Sequence, residues 1–366
     1  MESSKHLYAL LLAGGKGKRF WPLSREENPK QLIQLFSSQT LIEETYERIR
    51  PLIPQERVLL ATSQALMMRF KGLFSGLDAR NFIVEPLPRN TAPCIAVAAR
   101  KAVARDPEAI LAVLPSDHHV SDPETFREVL MAAVRHAERD KIVTLGITPT
   151  HPETGYGYIR FGDFEPEPAS VECRYRARTI QAFVEKPNLE TAFSYLKAGR
   201  YLWNSGIFIF KASVILNAFK EFLPDIFEQS EALLKLEAQA TANSDAIYDS
   251  WERMNPISID YGVMEKVTHD VVVIPASFGW SDVGSWRALT AFPNDNQENF
   301  EKGRVVTVDC NDNVLYSTYG LLGTIGLKGM VVVVTNGAVL VCPQDRTQDV
   351  KELVDEIERR DFTEYL

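Results

Sequence analysis

The feature that most constrains this 366-residue chain is a glycine-rich passage at the end of its first apolar run. Residues 8–12 lead into Ala13-Gly14-Gly15-Lys16-Gly17-Lys18-Arg19, followed by Phe20-Trp21-Pro22-Leu23-Ser24. Glycines let backbone N–H groups approach an anion closely, and the turn after the first strand of an open parallel sheet lies at the edge where ligands bind. Two phosphate motifs fail here. A Walker A loop would need Ser or Thr after Gly17-Lys18, and Arg19 stands there. A dinucleotide fingerprint begins at Gly15 and Gly17 but meets Phe20 at its third glycine, which argues against a nicotinamide dehydrogenase. An ordinary strand-to-helix turn would explain the glycines alone. It does not explain Arg19 and the Pro29-Lys30-Gln31 that follow.

The rest of the first half reads as an α/β sheet. Apolar runs at 7–12, 58–61, 81–84, 110–114 and 142–145 alternate with helical patterns, which predicts a mainly parallel sheet. Asn90 or Thr91 is placed to cap a helix with Pro93 in its first turn, and 125–139 reads as a second helix. Sheet segments follow at 156–161, 179–184 and 207–210, with a helix at 189–198, helical character over 228–253 and one more apolar run at 271–274. A polar stretch at 295–302 separates this core from short strand-like runs at 305–308, 331–335 and 338–341. The chain therefore divides into a core of 1–294 and a small β appendage of 295–366. The appendage ends in an amphipathic helix with Val350, Leu353, Val354 and Ile357 on one face.

Bulk properties exclude several classes. A net charge of −9 disfavours nonspecific binding to nucleic acid or an anionic membrane, and the first apolar run is too short to span a bilayer and lacks a signal-peptide cleavage pattern, so a cytoplasmic location is expected. Cys94, Cys173, Cys310 and Cys342 are scattered with no CxxC pair, which suits reduced structural thiols. His118 and His119 are adjacent in an extended segment, where side chains point apart, so a shared zinc is not expected. No Gly-x-Ser-x-Gly elbow supports a covalent hydrolase.

The string LLAGGKGKRFWPLSREENPKQ resembles the signature loop of the sugar-nucleotide pyrophosphorylases, with Phe-Trp-Pro-Leu-Ser and Pro-Lys-Gln in the form of the members that use GTP and mannose 1-phosphate. The resemblance continues through Glu85-Pro86, Arg89-Asn90-Thr91-Ala92-Pro93, Leu114-Pro115-Ser116-Asp117-His118 and Thr154-Gly155-Tyr156-Gly157-Tyr158. It runs on through Phe183-Val184-Glu185-Lys186-Pro187, Trp203-Asn204-Ser205-Gly206, the segment 259–266 and Gly279-Trp280-Ser281-Asp282-Val283-Gly284-Ser285-Trp286. Two positions depart from it: Lys16 and Lys18 stand where many relatives have Ser and Thr. Longer members carry a C-terminal isomerase domain, so a single activity is expected of this chain.

The resemblance implies a Rossmann-like nucleotidyltransferase core with a mixed, mainly parallel sheet. The implied reaction is attack by a sugar 1-phosphate oxygen on the α-phosphorus of GTP, which needs positioning and charge neutralisation but no covalent nucleophile. It implies Mg2+ as cofactor, with Asp117 and Asp282 as its ligands, though either Asp taken alone suits a turn. Arg19 is implied to grip the β and γ phosphates, Lys30 the α-phosphate or the departing pyrophosphate, and Lys186 the sugar phosphate. Each of these could by residue type be a solvated surface cation. Ala13, Gly14, Gly15, Gly17 and Asp117 would line the nucleotide, with the base read near Gly14, Gly15 and Arg89, Asn90 and Thr91. Gly155, Glu185, Asn204 and Asp260 would face the sugar. A different hexose 1-phosphate or base, or a noncatalytic regulatory subunit, are the competing readings. The appendage and terminal helix offer a homodimer surface.

Overall fold

The computed structural model describes residues 5–15, 17–166, 174–239, 244–267, 269–292 and 298–366; Lys16, Cys173 and the expected boundary at Asn294 lie outside the described residues. The chain divides into two compact units. The first comprises Met1–Gly14, Thr45–Ser116 and Val120–Trp280, and the second Gly15–Glu44, Asp117–His119 and Ser281–Leu366.

Up to residue 281 the strands are β1 (Leu7–Ala13), β2 (Val58–Ser63), β3 (Phe82–Glu85), β4 (Ile110–Pro115), the two-residue β5 (His119–Val120), β6 (Ile142–Ile147), β7 (Tyr158–Phe164), β8 (Arg178–Val184), β9 (Tyr201–Lys211), β10 (Val271–Ala276) and the two-residue β11 (Trp280–Ser281). The helices are α1 (Leu41–Ile49), α2 (Gln64–Leu73), α3 (Thr91–Arg105), α4 (Pro123–Ala137), α5 (Leu189–Ala198), α6 (Ala212–Phe222), α7 (Pro224–Glu237) and α8 (Ser244–Arg253). The first unit is built on a nine-stranded sheet in the order β3-β2-β1-β4-β9-β6-β10-β8-β7.

The sheet is mixed and, by strand direction, mainly parallel: of its nine strands only β8 and β9 run against the rest. Strands β1, β2, β3 and β4 run parallel, as do β6 and β10. Strand β9, however, is antiparallel to β4, β6 and β7, and β8 is antiparallel to β7 and β10. A strand buried on both faces reads as a continuous apolar run whichever way its neighbours point, so the sequence pattern does not reveal the reversal. The run at 207–210 is the end of the eleven-residue β9. Its earlier polar pair is absorbed by internal hydrogen bonds, Ser205 Oγ donating to the Leu145 carbonyl at 2.7 Å and Thr144 Oγ1 to Asn204 Oδ1 at 3.1 Å.

Helix starts follow their caps. Asn90 accepts from Thr91 N–H at the start of α3, Asp122 from Thr125 N–H at α4, and Asn188 from Thr191 N–H at α5, while Gly199 at φ 64° ends α5. The alanine-rich face of α3 lets it lie close to the sheet in one core with Leu10, Leu111, Phe208, Phe210 and Phe219. The helical stretch at 228–253 is two helices, α7 and α8. Helices α2 and α6 begin at Ser63 and Lys211 without a side-chain cap, unlike α3, α4 and α5.

In the second unit the strands are β12 (Phe300–Lys302), β13 (Val305–Val308), β14 (Val314–Ser317), β15 (Leu322–Ile325), β16 (Met330–Thr335) and β17 (Ala338–Pro343), before α9 (Val350–Arg359). Successive turns stack in parallel: β12 on β14 on β16, and β13 on β15. This is a short coil of parallel strands, closed by the antiparallel β17. Val314, Val331 and Val333 fill its interior, and at a corner Asn313 Nδ2 donates to Asn299 Oδ1 at 2.9 Å and to the Leu327 carbonyl at 2.8 Å. Among the described residues no helix is long and apolar enough to cross a membrane.

Candidate functional site

The second unit gathers the residues expected to handle phosphate. Gly17 has φ 64°, and a Cβ added there would lie 2.5 Å from Lys30 Cβ, so both backbone strain and the packing of Lys30 demand glycine. The turn is locked by Ser24 Oγ donating to the Gly17 carbonyl at 2.7 Å, and Gln31 Nε2 donates to the Gly15 carbonyl at 3.1 Å. Lys30 is buried; its Nζ donates to Asp117 Oδ2 at 3.0 Å and to the Asp282 carbonyl at 2.5 Å. Burial opposes the charge on Asp117, but Lys30, helped by His118, outweighs it and holds the carboxyl below its usual range. Arg19 is exposed and its Nη1 donates to the Gly284 carbonyl at 2.9 Å.

The backbone that presents Asp282 is strained. Val283 is fully buried yet sits at φ 47°, a conformation that costs a β-branched residue about 1–3 kcal/mol. Gly284 N–H donates to Asp282 Oδ1 at 3.0 Å, so the strained step aims the carboxylate and places the Gly284 carbonyl opposite Arg19.

The first unit gathers the residues expected to face a sugar. Lys186 Nζ donates to Glu185 Oε1 at 2.7 Å, and Asn204 Nδ2 donates to Asp260 Oδ1 at 2.9 Å. Glu185 Oε2 is buried and has no hydrogen-bond partner among the described residues, an acceptor suited to a hydroxyl donor. Burial, and then the neighbouring Glu185, push the Asp260 carboxyl up to about 6. Burial works against the Lys186 ammonium, but its bond to Glu185 outweighs this and raises it. Lys186 itself is held at φ 48°, and Asp260 opens a π-helical turn, Asp260–Met264; both are irregularities that concentrate at functional sites. Gly155 is not brought into this cluster: an added Cβ there would meet only Glu153. Gly157 is, since a Cβ on it would collide with Glu185 Oε2.

The segment expected to read the base starts α3, also in the first unit. Arg89 Nε is buried without a hydrogen-bond partner among the described residues, Asn90 takes φ 65° to cap the helix, and Thr91 Oγ1 accepts Ile259 N–H at 3.0 Å beside Asp260. Ala13 closes β1 and Gly14 follows it exposed.

The glycine turn is fitted to a buried lysine that bonds Asp117 and the Asp282 carbonyl, and residues 8–299 match the family model described as nucleotidyl transferase. The chain belongs to the nucleotidyl transferase family. Residues 303–357 of this nucleotidyl transferase match a second family, the MannoseP isomerase/GMP-like beta-helix domain, in keeping with the coil of parallel strands. It is 40% identical to mannose-1-phosphate guanylyltransferase RfbM of Salmonella typhimurium over 97% of this chain and 73% of that protein. It is 38% identical to mannose-1-phosphate guanylyltransferase of Escherichia coli K12 over 98% of this chain and 74% of the relative. A solved structure from Thermus thermophilus, described as mannose-1-phosphate geranyltransferase, is similar at a TM-score of 0.85 and 38% identity, covering 96% of this chain and 99% of that one.

Three residues of this nucleotidyl transferase lie inside the matching motifs, but the sequence assigns none of them an individual role. Glu85, at the end of β3, has its carboxyl pushed up to about 7 by burial, with a bond from Cys94 working the other way. Glu265 accepts the Glu185 N–H at 3.1 Å and so fixes the backbone of that residue. Gly157 makes room for Glu185, and the alternation of Tyr156-Gly157-Tyr158 entering β7 is the signal that could have singled it out.

Proposed function

We propose that this nucleotidyl transferase moves GMP from GTP to α-D-mannose 1-phosphate, releasing pyrophosphate and forming GDP-mannose. The observation that carries the reading is the Lys30 ammonium held between Asp117 and Asp282 against a turn that only Gly17 can make. The printed names of the relatives support the choice of substrates.

An oxygen of the sugar phosphate attacks the α-phosphorus, the bond to the bridging oxygen breaks, and pyrophosphate leaves with the electron pair. No covalent intermediate with the protein is needed, so the residues work by positioning and charge. Backbone at Ala13, Gly14, Gly15 and Gly17 lies along the nucleotide. Arg19 grips the β and γ phosphates, Lys30 meets the α-phosphate or the departing pyrophosphate, and Lys186 steadies the phosphate of the sugar. Glu185 and Asp260 accept sugar hydroxyls, Asn204 both donates and accepts, and Gly155 belongs to the loop that leads into this cluster. The base is read by Arg89, Asn90 and Thr91, with Glu85 as the acceptor that suits guanine, whose N1–H and N2–H2 are paired donors.

The carboxylates suit a hard divalent cation. Asp117 is held ionised, and among the described residues no cluster of three or more His, Cys, Asp or Glu offers an all-protein cage. Magnesium commonly takes one or two carboxylates plus substrate phosphates, so Asp117 and Asp282 are the residues that would hold Mg2+. When bound, it supplies neutralisation of the phosphate charge.

Residues 1–294 are read as the catalytic domain and 295–366 as a supporting β domain with a candidate homodimer surface, in a cytoplasmic enzyme. Purified protein incubated with GTP, mannose 1-phosphate and Mg2+ should release pyrophosphate and form GDP-mannose. A panel of other triphosphates and hexose 1-phosphates should react at least about tenfold more slowly, the loss expected for one mismatched bidentate contact. Absence of pyrophosphate with every pair sinks the reading.

A further inference from the structure

Lys18 lies next to Arg19 in the signature loop, yet its cation is turned to the terminal helix of the same unit. Lys18 Nζ donates to Asp355 Oδ1 at 2.7 Å and lies 3.9 Å from Glu358 Oε2, both on α9. The hydrogen bond to Asp355 raises the Lys18 ammonium and lowers the Asp355 carboxyl. Three further contacts tie the same loop down. Trp21 Nε1 donates to the Tyr365 carbonyl at 2.8 Å, Arg25 Nη1 to the Glu364 carbonyl at 3.3 Å, and Trp286 Nε1 to the Trp21 carbonyl at 3.1 Å. Phe20 and Trp21 are buried in one cluster with Val350 and Val354, the inward face of α9. Arg19, by contrast, stands exposed on the three-residue turn Lys18–Phe20.

We propose that Lys18 is a positioning residue and that α9 and the 363–365 turn form its clamp. The Lys18–Asp355 pair fixes the turn so that Arg19 projects toward the triphosphate, and it keeps the Lys18 charge from competing for the same phosphates. The buried aromatic pair fixes the depth of the turn, and the ion pair fixes its rotation. A loop member with Ser or Thr at position 18 lacks this tether, so the device belongs to the lysine. The proposal rests on the reading of Arg19 as a phosphate group.

The test is a charge swap. Wild type, Lys18→Asp, Asp355→Lys and the double variant are compared in steady-state pyrophosphate release, in calorimetric titration with Mg2+ and GTP, and in thermal melting. Each single variant should lose at least about tenfold in kcat/KM for GTP, because an ångström-scale misplacement of a catalytic group costs up to about 10²-fold. KM for mannose 1-phosphate and the melting temperature should hold. The double variant should recover to within about threefold of wild type, as a restored pair predicts. Single variants that match wild type, a double variant no better than the singles, or losses that track melting temperature would overturn the proposal. If wild type itself releases no pyrophosphate, the substrate reading fails, and the titration arm still decides whether Lys18 and Asp355 together set GTP affinity.

Discussion

In the second unit the charges proposed to handle phosphate already have partners: Lys30 serves Asp117 and the Asp282 carbonyl, and Arg19 serves the Gly284 carbonyl. In the first unit the acids proposed to face the sugar are uncomfortable: among the described residues Glu185 Oε2 is buried and has no hydrogen-bond partner, and Asp260 carries a carboxyl raised to about 6. A cluster whose groups are already hydrogen-bonded stays put without ligand. An under-satisfied cluster stores free energy that a ligand can release by supplying hydrogen bonds. On the proposed function, the contrast predicts that substitutions in the first cluster act on turnover and those in the second on ligand choice and pH sensitivity.

The sharpest way to break that division is Asp282→Asn. The paired cluster should lose about 10²–10³-fold in kcat, the range for removing one preorganised electrostatic contact, while melting temperature changes little. Pyrophosphate release at saturating substrates measures it, and a kcat within about twofold of wild type would leave the cluster a purely structural ion network.

Glu185→Gln probes the other side. Losing one charged acceptor should cost about 1–3 kcal/mol in sugar binding, or about 10–10²-fold in KM for mannose 1-phosphate, with KM for GTP unchanged. A change in the GTP term instead would blur the comparison.

Much of this was legible in the chain. Polar caps at Asn90 and Asn188, the apolar strands and the glycine turn speak through local chemistry, and local chemistry is what sequence carries. Strand direction was not legible, since β9 looks the same buried antiparallel as it would parallel. Of the parallel coil, residues 305–308 and 331–335 announce themselves, whereas 300–302, 314–317 and 322–325 do not, their apolar residues being interspersed with Glu, Lys, Tyr, Ser, Gly and Thr. Within the candidate site the charged side chains were readable by type. The partner each one chose was not: nothing local says that Lys18 turns to Asp355, or that Gly157 rather than Gly155 abuts Glu185.

A smaller effect is expected at Glu85. Above pH about 7, where the Glu85 carboxyl is ionised and offers two acceptors, Glu85→Gln replaces one of them by a donor, so preference for GTP over ATP should fall by about tenfold, near the lower end for a bidentate base contact. Competition assays with both triphosphates check it. An unchanged ratio would return base reading to Arg89, Asn90 and Thr91 alone.

The smallest effect, and the finest test of the contrast, is the pH dependence of the sugar side. Asp260 has its carboxyl raised from 3.8 to about 6, first by burial and then by Glu185. Below 3.8 the group is protonated in the folded and the unfolded chain alike, and it contributes no difference in stability. Between 3.8 and about 6 the unfolded chain sheds the proton while the native protein keeps it, so stability falls as pH rises through that window. Above about 6 both forms are ionised and the cost is complete. Ionisation that weakens the fold strengthens acceptance of hydroxyl donors, so KM for mannose 1-phosphate should drop by about threefold as pH passes upward through that range, in keeping with the modest gain of a charged over a neutral hydrogen bond. Asp260→Asn should flatten both curves, leaving KM insensitive to pH and removing the stability loss. The corresponding profile for kcat should show no step near 6, because Asp117 is already held ionised by Lys30. A kcat step that survives in Asp260→Asn would mean that a group of the paired cluster titrates there after all.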